Sequence, residues 1–181
     1  VPSSWASGTV TLTAEVAGVQ RSEPVTFSQR RSIKVIYVPV RYKGQEPDAL
    51  RIQKGSEWAR RVYPTAQIDY ERGDTLTWDR CLKFGFFCPF DEVNRADFFN
   101  QLSTRYRLAG GIETFVFGWL PAVTYNGGEA NASWDGGAGI AAFGDDHPTE
   151  GQFIFAHEIA HLLGRRHTNT SDSCGARDPN T

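Results

Sequence analysis

Residues 157–167 read His157-Glu158-Ile159-Ala160-His161-Leu162-Leu163-Gly164-Arg165-Arg166-His167, and they contain three of the four histidines in this 181-residue chain. The pattern is H-E-x-x-H followed by x-x-G-x-x-H. On a helix, positions i and i+4 lie one turn apart on one face, so His157 and His161 can share a metal ion. Glu158 points about a quarter turn away, towards a water held at that metal. Gly164 takes φ > 0 without a Cβ clash, which suits a chain that leaves a helix and swings back. His167 then arrives as a third nitrogen ligand. Three protein ligands with one open position are the pattern of a catalytic zinc site, whereas structural sites are closed by four. The stretch thus implies Zn2+ on His157, His161 and His167, with Glu158 as the catalytic base.

The flanks agree with a helix. Thr149 with Gln152 three residues later reads as a capping box, with Thr149 as N-cap. Phe153, Ile154, Phe155, Ile159, Leu162 and Leu163 make the segment heavily apolar, so it is expected to run through the core. A polar His-Glu-x-x-His stripe on such a helix is costly unless its groups have a partner.

At the five defining positions the sequence resembles the metzincin metallopeptidases, whose signature is this extended eleven-residue motif. The resemblance implies a zincin-like α+β fold: a mixed twisted sheet with parallel strands, an antiparallel edge strand above the cleft, and an active-site helix. It places the edge strand just before that helix, at Gly137–Gly144. Gly139, Ile140, Ala141 and Ala142 are then the expected substrate-binding backbone, small enough for a peptide to add itself as another strand. The family's second signature is a methionine turn beneath the zinc. The chain has no Met, and it ends fourteen residues after His167, so that turn is expected beyond Thr181. Thr168 stands where several subfamilies carry Asp, Glu or Pro, and the subfamily stays open.

A net charge of −2 and a pI near 6.1 give no basic footprint for nucleic acid. No stretch approaches the roughly 20 apolar residues of a membrane span. The spacing of Cys81 and Cys88 fits no common zinc pattern and suggests a local disulfide in an exported protein, secreted or at the cell surface. Cys174 either pairs elsewhere or stays free.

Residues 8–17 alternate, with Val10, Leu12, Ala14 and Val16 on one side and Thr9, Thr11, Thr13 and Glu15 on the other. With a return strand over 22–28, residues 1–30 read as the tail of a β-sandwich-like accessory domain. The alternative is an N-terminal hairpin of the catalytic domain itself. Residues 31–181 read as the catalytic domain: an N-terminal subdomain and the start of a C-terminal one. Ile33–Val40 is an apolar run expected of a strand buried on both faces. Helices are expected over 47–63 and 91–108, and strands over 66–71, 74–78, 112–120 and 140–143. This alternation predicts an α/β arrangement on a parallel sheet. Asp145-Asp146-His147 reads as a solvated turn, with a calcium site as the lesser alternative.

The expected chemistry is zinc-dependent hydrolysis of a peptide bond in a protein or peptide substrate, with Glu158 as general base. The ligand set alone also permits hydrolysis of another amide. Two alternatives stand beside it: a catalytically silent secreted binding module that keeps the zinc, and a structural zinc closed by Cys174.

Overall fold

The computed structural model describes residues 8–27, 32–63, 67–82, 92–109, 112–122, 127–132 and 139–165. Strands β1 (Gly8–Val16) and β2 (Val19–Phe27) form an antiparallel hairpin. Its two turn residues, Ala17 and Gly18, both have positive φ, as a two-residue hairpin loop with right-handed strand twist requires. Thr9 bonds Thr26 at 3.0 Å and Thr13 bonds Ser22 at 2.8 Å across the polar face. On the other face, Leu12, Val16 and Val19 are exposed. Among the described residues the hairpin shares no ladder with any other strand.

The remaining elements are β3 (Ile33–Tyr42), α1 (Ala49–Val62), β4 (Ile68–Arg72), β5 (Leu76–Trp78), α2 (Glu92–Ser103), β6 (Arg107–Ala109), β7 (Ile112–Leu120), β8 (Gly128–Ala130), β9 (Ala141–Asp145) and α3 (Gly151–Leu162). They build a mixed sheet of order β4-β3-β7-β9-β8, with β5 on the end of β3 and β6 on the start of β7. Strands β4, β3, β7 and β9 run parallel, while β8 lies antiparallel on β9. The class is mixed α/β, as the strand and helix alternation predicts.

Strand β7 shows why the sheet is buried on both faces. Phe115, Phe117 and Trp119 point into one core with Ile52 and Ala59 of α1 and Phe155, Ile159 and Leu162 of α3. Val116 and Leu120 point into the other, with Phe98, Phe99 and Leu102 of α2. A period of two on a strand with no polar side chain from Phe115 to Leu120 leaves no face for water there, so helices must cover both sides. α1 and α3 cover one face, and α2 the other.

Two expectations are corrected here. The second helix stops at Ser103, and Arg107–Ala109 is a strand antiparallel to β7. Its Leu108 is exposed rather than in a helical core stripe. Gly110-Gly111, which separates β6 from β7, is the composition of a tight hairpin loop and was the available signal. The strand before the last helix is also not the antiparallel edge. β9 runs parallel to β7 and is interior, because Ala141, Ala142 and Phe143 are fully buried and need partners on both sides. The edge is β8, three residues from within the glycine-rich stretch.

Candidate metal centre

α3 starts from an acidic turn that is not solvated. Asp145 and Asp146 are 0% and 2% exposed, which corrects the expected surface turn. Asp146 accepts hydrogen bonds from the backbone N–H of Asp48 and, at 2.6 Å, of Ala122. The Arg51 guanidinium lies 3.7 Å from the same carboxylate. One side chain therefore ties the start of α1 and the end of β7 to the entry of α3. Asp145 is less well held: neither of its carboxylate oxygens makes a full hydrogen bond, although the backbone N–H groups of His147 and Gly127 lie near enough to favour its charge. Burial pushes its pKa up to about 6, against the opposing pull of His147 and of the Gly127 N–H, with the charge of Asp146 adding to the rise.

The expected Thr149–Gln152 capping box does not form. The helix begins at Gly151, its N-cap is Glu150, and Glu150 makes no side-chain cap bond. Thr149 thus stands one position too early to cap. His147 does the work instead, its Nδ1 accepting from the N–H groups of Thr149 at 3.4 Å and Glu150 at 3.3 Å. These are two donors near the helix start that the helix itself leaves unpaired.

The other end of α3 follows the sequence reading. Gly164 has φ 75. Arg165 N–H bonds the Ala160 carbonyl at 2.9 Å, and Gly164 N–H bonds that of His161 at 2.9 Å. These paired bonds, one spanning five residues and one three, form a Schellman turn, for which Gly removes the Cβ penalty. The turn has a chemical consequence. It carries the Arg165 carbonyl to 2.7 Å from His161 Nδ1. A carbonyl only accepts, so Nδ1 carries the proton and Nε2 of the neutral ring keeps its lone pair.

That lone pair faces His157. The two Nε2 atoms are 3.0 Å apart and the rings meet edge to face at 4.6 Å between centroids. Two imidazole ligands of one tetrahedral zinc, each at about 2.0–2.1 Å, lie about 3.3 Å apart. The donor set and the fixed His161 tautomer therefore fit a shared zinc. The third expected ligand, His167, lies outside the described residues. Among the described residues no group of three His, Cys, Asp or Glu side chains is arranged to hold a metal.

Glu158 is far more enclosed than a surface glutamate, at 6% exposure. Burial raises its pKa to about 8, and the charge of Glu129 on β8 adds to the rise. Glu129 is itself raised by burial and held in check by an ion pair with Arg95 of α2. A divalent cation at the neighbouring imidazoles acts in the opposite direction, favouring the carboxylate.

Of the residues expected to bind substrate, Ile140 and Ala141 have their backbone groups engaged. Asn131 Oδ1 accepts from both N–H groups, at 2.9 and 3.0 Å. Their carbonyls accept from Val116 and Asn131. Gly139 is buried, and Ala142 sits in the ladder to β8. Ala141 and Ala142 therefore belong to the inner strand β9, Gly139 and Ile140 lead into it, and among the described residues the sheet edge belongs to β8. Cys81 is disulfide-bonded, and its expected partner Cys88 lies outside the described residues. A separate cavity of about 380 Å³ is lined by Tyr37, Gln53, Ser56, Glu57, Arg60 and Tyr70, none of them in the motif. The sequence reading missed the Arg95–Glu129 pair, which no local pattern announces. It also missed the His147 cap, for which a histidine just ahead of an apolar helical run was the only sign.

No protein-family model matches the chain, and no match was found among curated proteins. No described helix is long and apolar enough to cross a membrane.

Proposed function

We propose that the chain carries the zinc-binding part of a metzincin-like endopeptidase. The observation that carries this reading is the convergence of His157 and His161 Nε2 to 3.0 Å, with the Arg165 carbonyl fixing the His161 tautomer. Three further features support it. Gly164 turns the chain back at the position the motif assigns it. Glu158, next in sequence to His157, is enclosed at 6% exposure. The sheet ends in an antiparallel strand, the feature the family resemblance implies, although β8 and not residues 139–142 supplies it.

His157 and His161, joined by His167, would hold zinc through neutral imidazoles. The ion, when bound, lowers the pKa of a water to about 7 and polarises the carbonyl under attack. Glu158 accepts the proton as water adds to the scissile carbon, and then delivers it to the leaving amine nitrogen. Its enclosure excludes bulk water and keeps that carboxylate from wandering. The outer edge of β8 takes the substrate backbone as an added strand. The disulfide at Cys81 supports an exported protein, secreted or cell-surface.

The test is chelator-sensitive cleavage of an unfolded protein, with zinc counted by elemental analysis. Wild type is expected to bind one zinc per chain and to cleave. His161→Ala is expected to lose both, because two remaining ligands do not fix the geometry. Zinc unchanged in His161→Ala would remove the assignment. Zinc retained in a wild type that cleaves nothing would leave the binding-module alternative.

A further inference from the structure

Glu158 lies where α3 crosses the sheet edge, and the sheet residues at that crossing have no side chains. Gly128 of β8 and Gly144 of β9 are direct cross-strand partners. A Cβ on Gly128 would stand 2.7 Å from Glu158 Cγ, 2.7 Å from Ile154 Cγ2 and 2.9 Å from the Phe143 carbonyl oxygen. A Cβ on Gly144 would stand 2.5 Å from Ile154 Cγ2. Carbon pairs are most stable at about 3.5–4.0 Å, so these are clashes. Gly128 is not among the glycines with positive φ, so the position requires its small size and not its backbone freedom.

We propose that Gly128 is a positioning residue for the proposed base, its missing Cβ letting the stem of Glu158 lie against β8 and so setting where its carboxylate stands. This rests on the hydrolase reading above. What yields to a methyl group at position 128 decides the outcome, and β8 is held from several sides. Asp145 N–H bonds the Gly127 carbonyl at 3.1 Å, and Asn131 N–H bonds that of Ala141 at 2.9 Å. Asn131 Oδ1 binds β9 again through Ala141 N–H. Glu129 is tied to Arg95 on the opposite face. α3 is anchored by Phe155, Ile159 and Leu162, all at most 1% exposed. The Phe143 carbonyl is backbone and yields only by a small shift of β8, so of the groups the methyl would meet the unbranched stem of Glu158, with its rotatable bonds, moves most freely.

Gly128→Ala is expected to keep one zinc per chain and a KM within about twofold of wild type, while kcat falls about 10- to 100-fold, the scale of a small misplacement of a reacting group. Gly128→Ala/Ile154→Ala removes the Ile154 contact and leaves those with Glu158 and the Phe143 carbonyl; it is expected to change urea stability but not to restore kcat. Gly118→Ala is the packing control, since its Cβ would meet only Leu102 and Phe143. It is expected to lose stability at unchanged kcat per folded molecule. Wild-type kcat in Gly128→Ala, or rescue of kcat by Ile154→Ala, would overturn the proposal. Crystal structures of wild type and both Gly128 variants read the positional claim without turnover. A displaced Glu158 side chain supports it and an unmoved one overturns it, even if wild type proves inactive and the hydrolase reading falls.

Discussion

The entry of α3 and its middle turn both bury carboxylates, and the two regions treat them differently. Asp146 is surrounded by donors: two backbone N–H groups and the Arg51 guanidinium. Asp145, the adjacent residue, is equally buried, yet neither oxygen makes a full hydrogen bond and only the backbone N–H groups of His147 and Gly127 lie near it. Glu158, two to three turns further on, is enclosed on the helix that carries His157 and His161, whose Nε2 atoms meet at 3.0 Å. Burial alone therefore does not distinguish a structural acid from a chemical one. The partners do. An acid that organises three chain segments is part of the framework, whereas under the proposed function Glu158 is the acid left for chemistry.

The framework side of this comparison breaks most visibly at Asp146. Asp146→Ala leaves two buried backbone donors and the Arg51 charge without their acceptor. It is expected to cost about 3–5 kcal/mol in urea denaturation, as breaking a buried, bonded charge does. A loss under about 1 kcal/mol would mean that water replaces the carboxylate and that the junction is not held by it.

Asp145 gives the smaller, opposite effect. Its pKa rises from 3.8 unfolded to about 6 folded. A raised folded pKa means that the native state binds the proton more tightly. Its contribution is full below about pH 4 and is lost as pH climbs through about 6. Asp145→Asn carries a neutral group at every pH. It is expected to flatten the stability profile between pH 4 and 6 and to be about 1–3 kcal/mol more stable than wild type at pH 7. An unchanged profile would show that the carboxylate has found partners in solution.

The hairpin sits outside this comparison and is expected to matter least. Removing residues 1–29 leaves every ladder of the larger sheet intact. Circular dichroism and zinc stoichiometry of the remainder are expected to match wild type. Loss of the fold would assign β1 and β2 to the catalytic domain's own core.

What was legible in the sequence followed from periodicity and from glycine. The run Ile33–Val40, the apolar stretch Ile112–Leu120 and the β1 alternation all became strands, because a strand repeats every two residues, although the alternating face of β1 that reads as half-buried is exposed at Leu12 and Val16. Gly164 announced the turn, since the backbone there takes φ 75. β8 was not legible: three residues, Gly128-Glu129-Ala130, are too few to show a period, and their pairing is set by β9. The placement of Gly139–Ala142 failed for the same reason, because sequence shows that a strand is small and apolar but not which edges are occupied. Asp145 and Asp146 looked alike as a turn, and only tertiary packing separates them.

The account rests on Glu158 acting in the reaction and not in holding the metal. Glu158→Gln keeps the size and most hydrogen bonding of the side chain and removes its basic carboxylate. The decisive measurement is turnover of an unfolded protein substrate by wild type and Glu158→Gln, each loaded with zinc and assayed with and without chelator. The expected result is a fall of about 10²–10⁴ in kcat, the usual worth of a positioned base, with zinc content and thermal midpoint close to wild type. Chelator-sensitive cleavage by Glu158→Gln at the wild-type rate would contradict it.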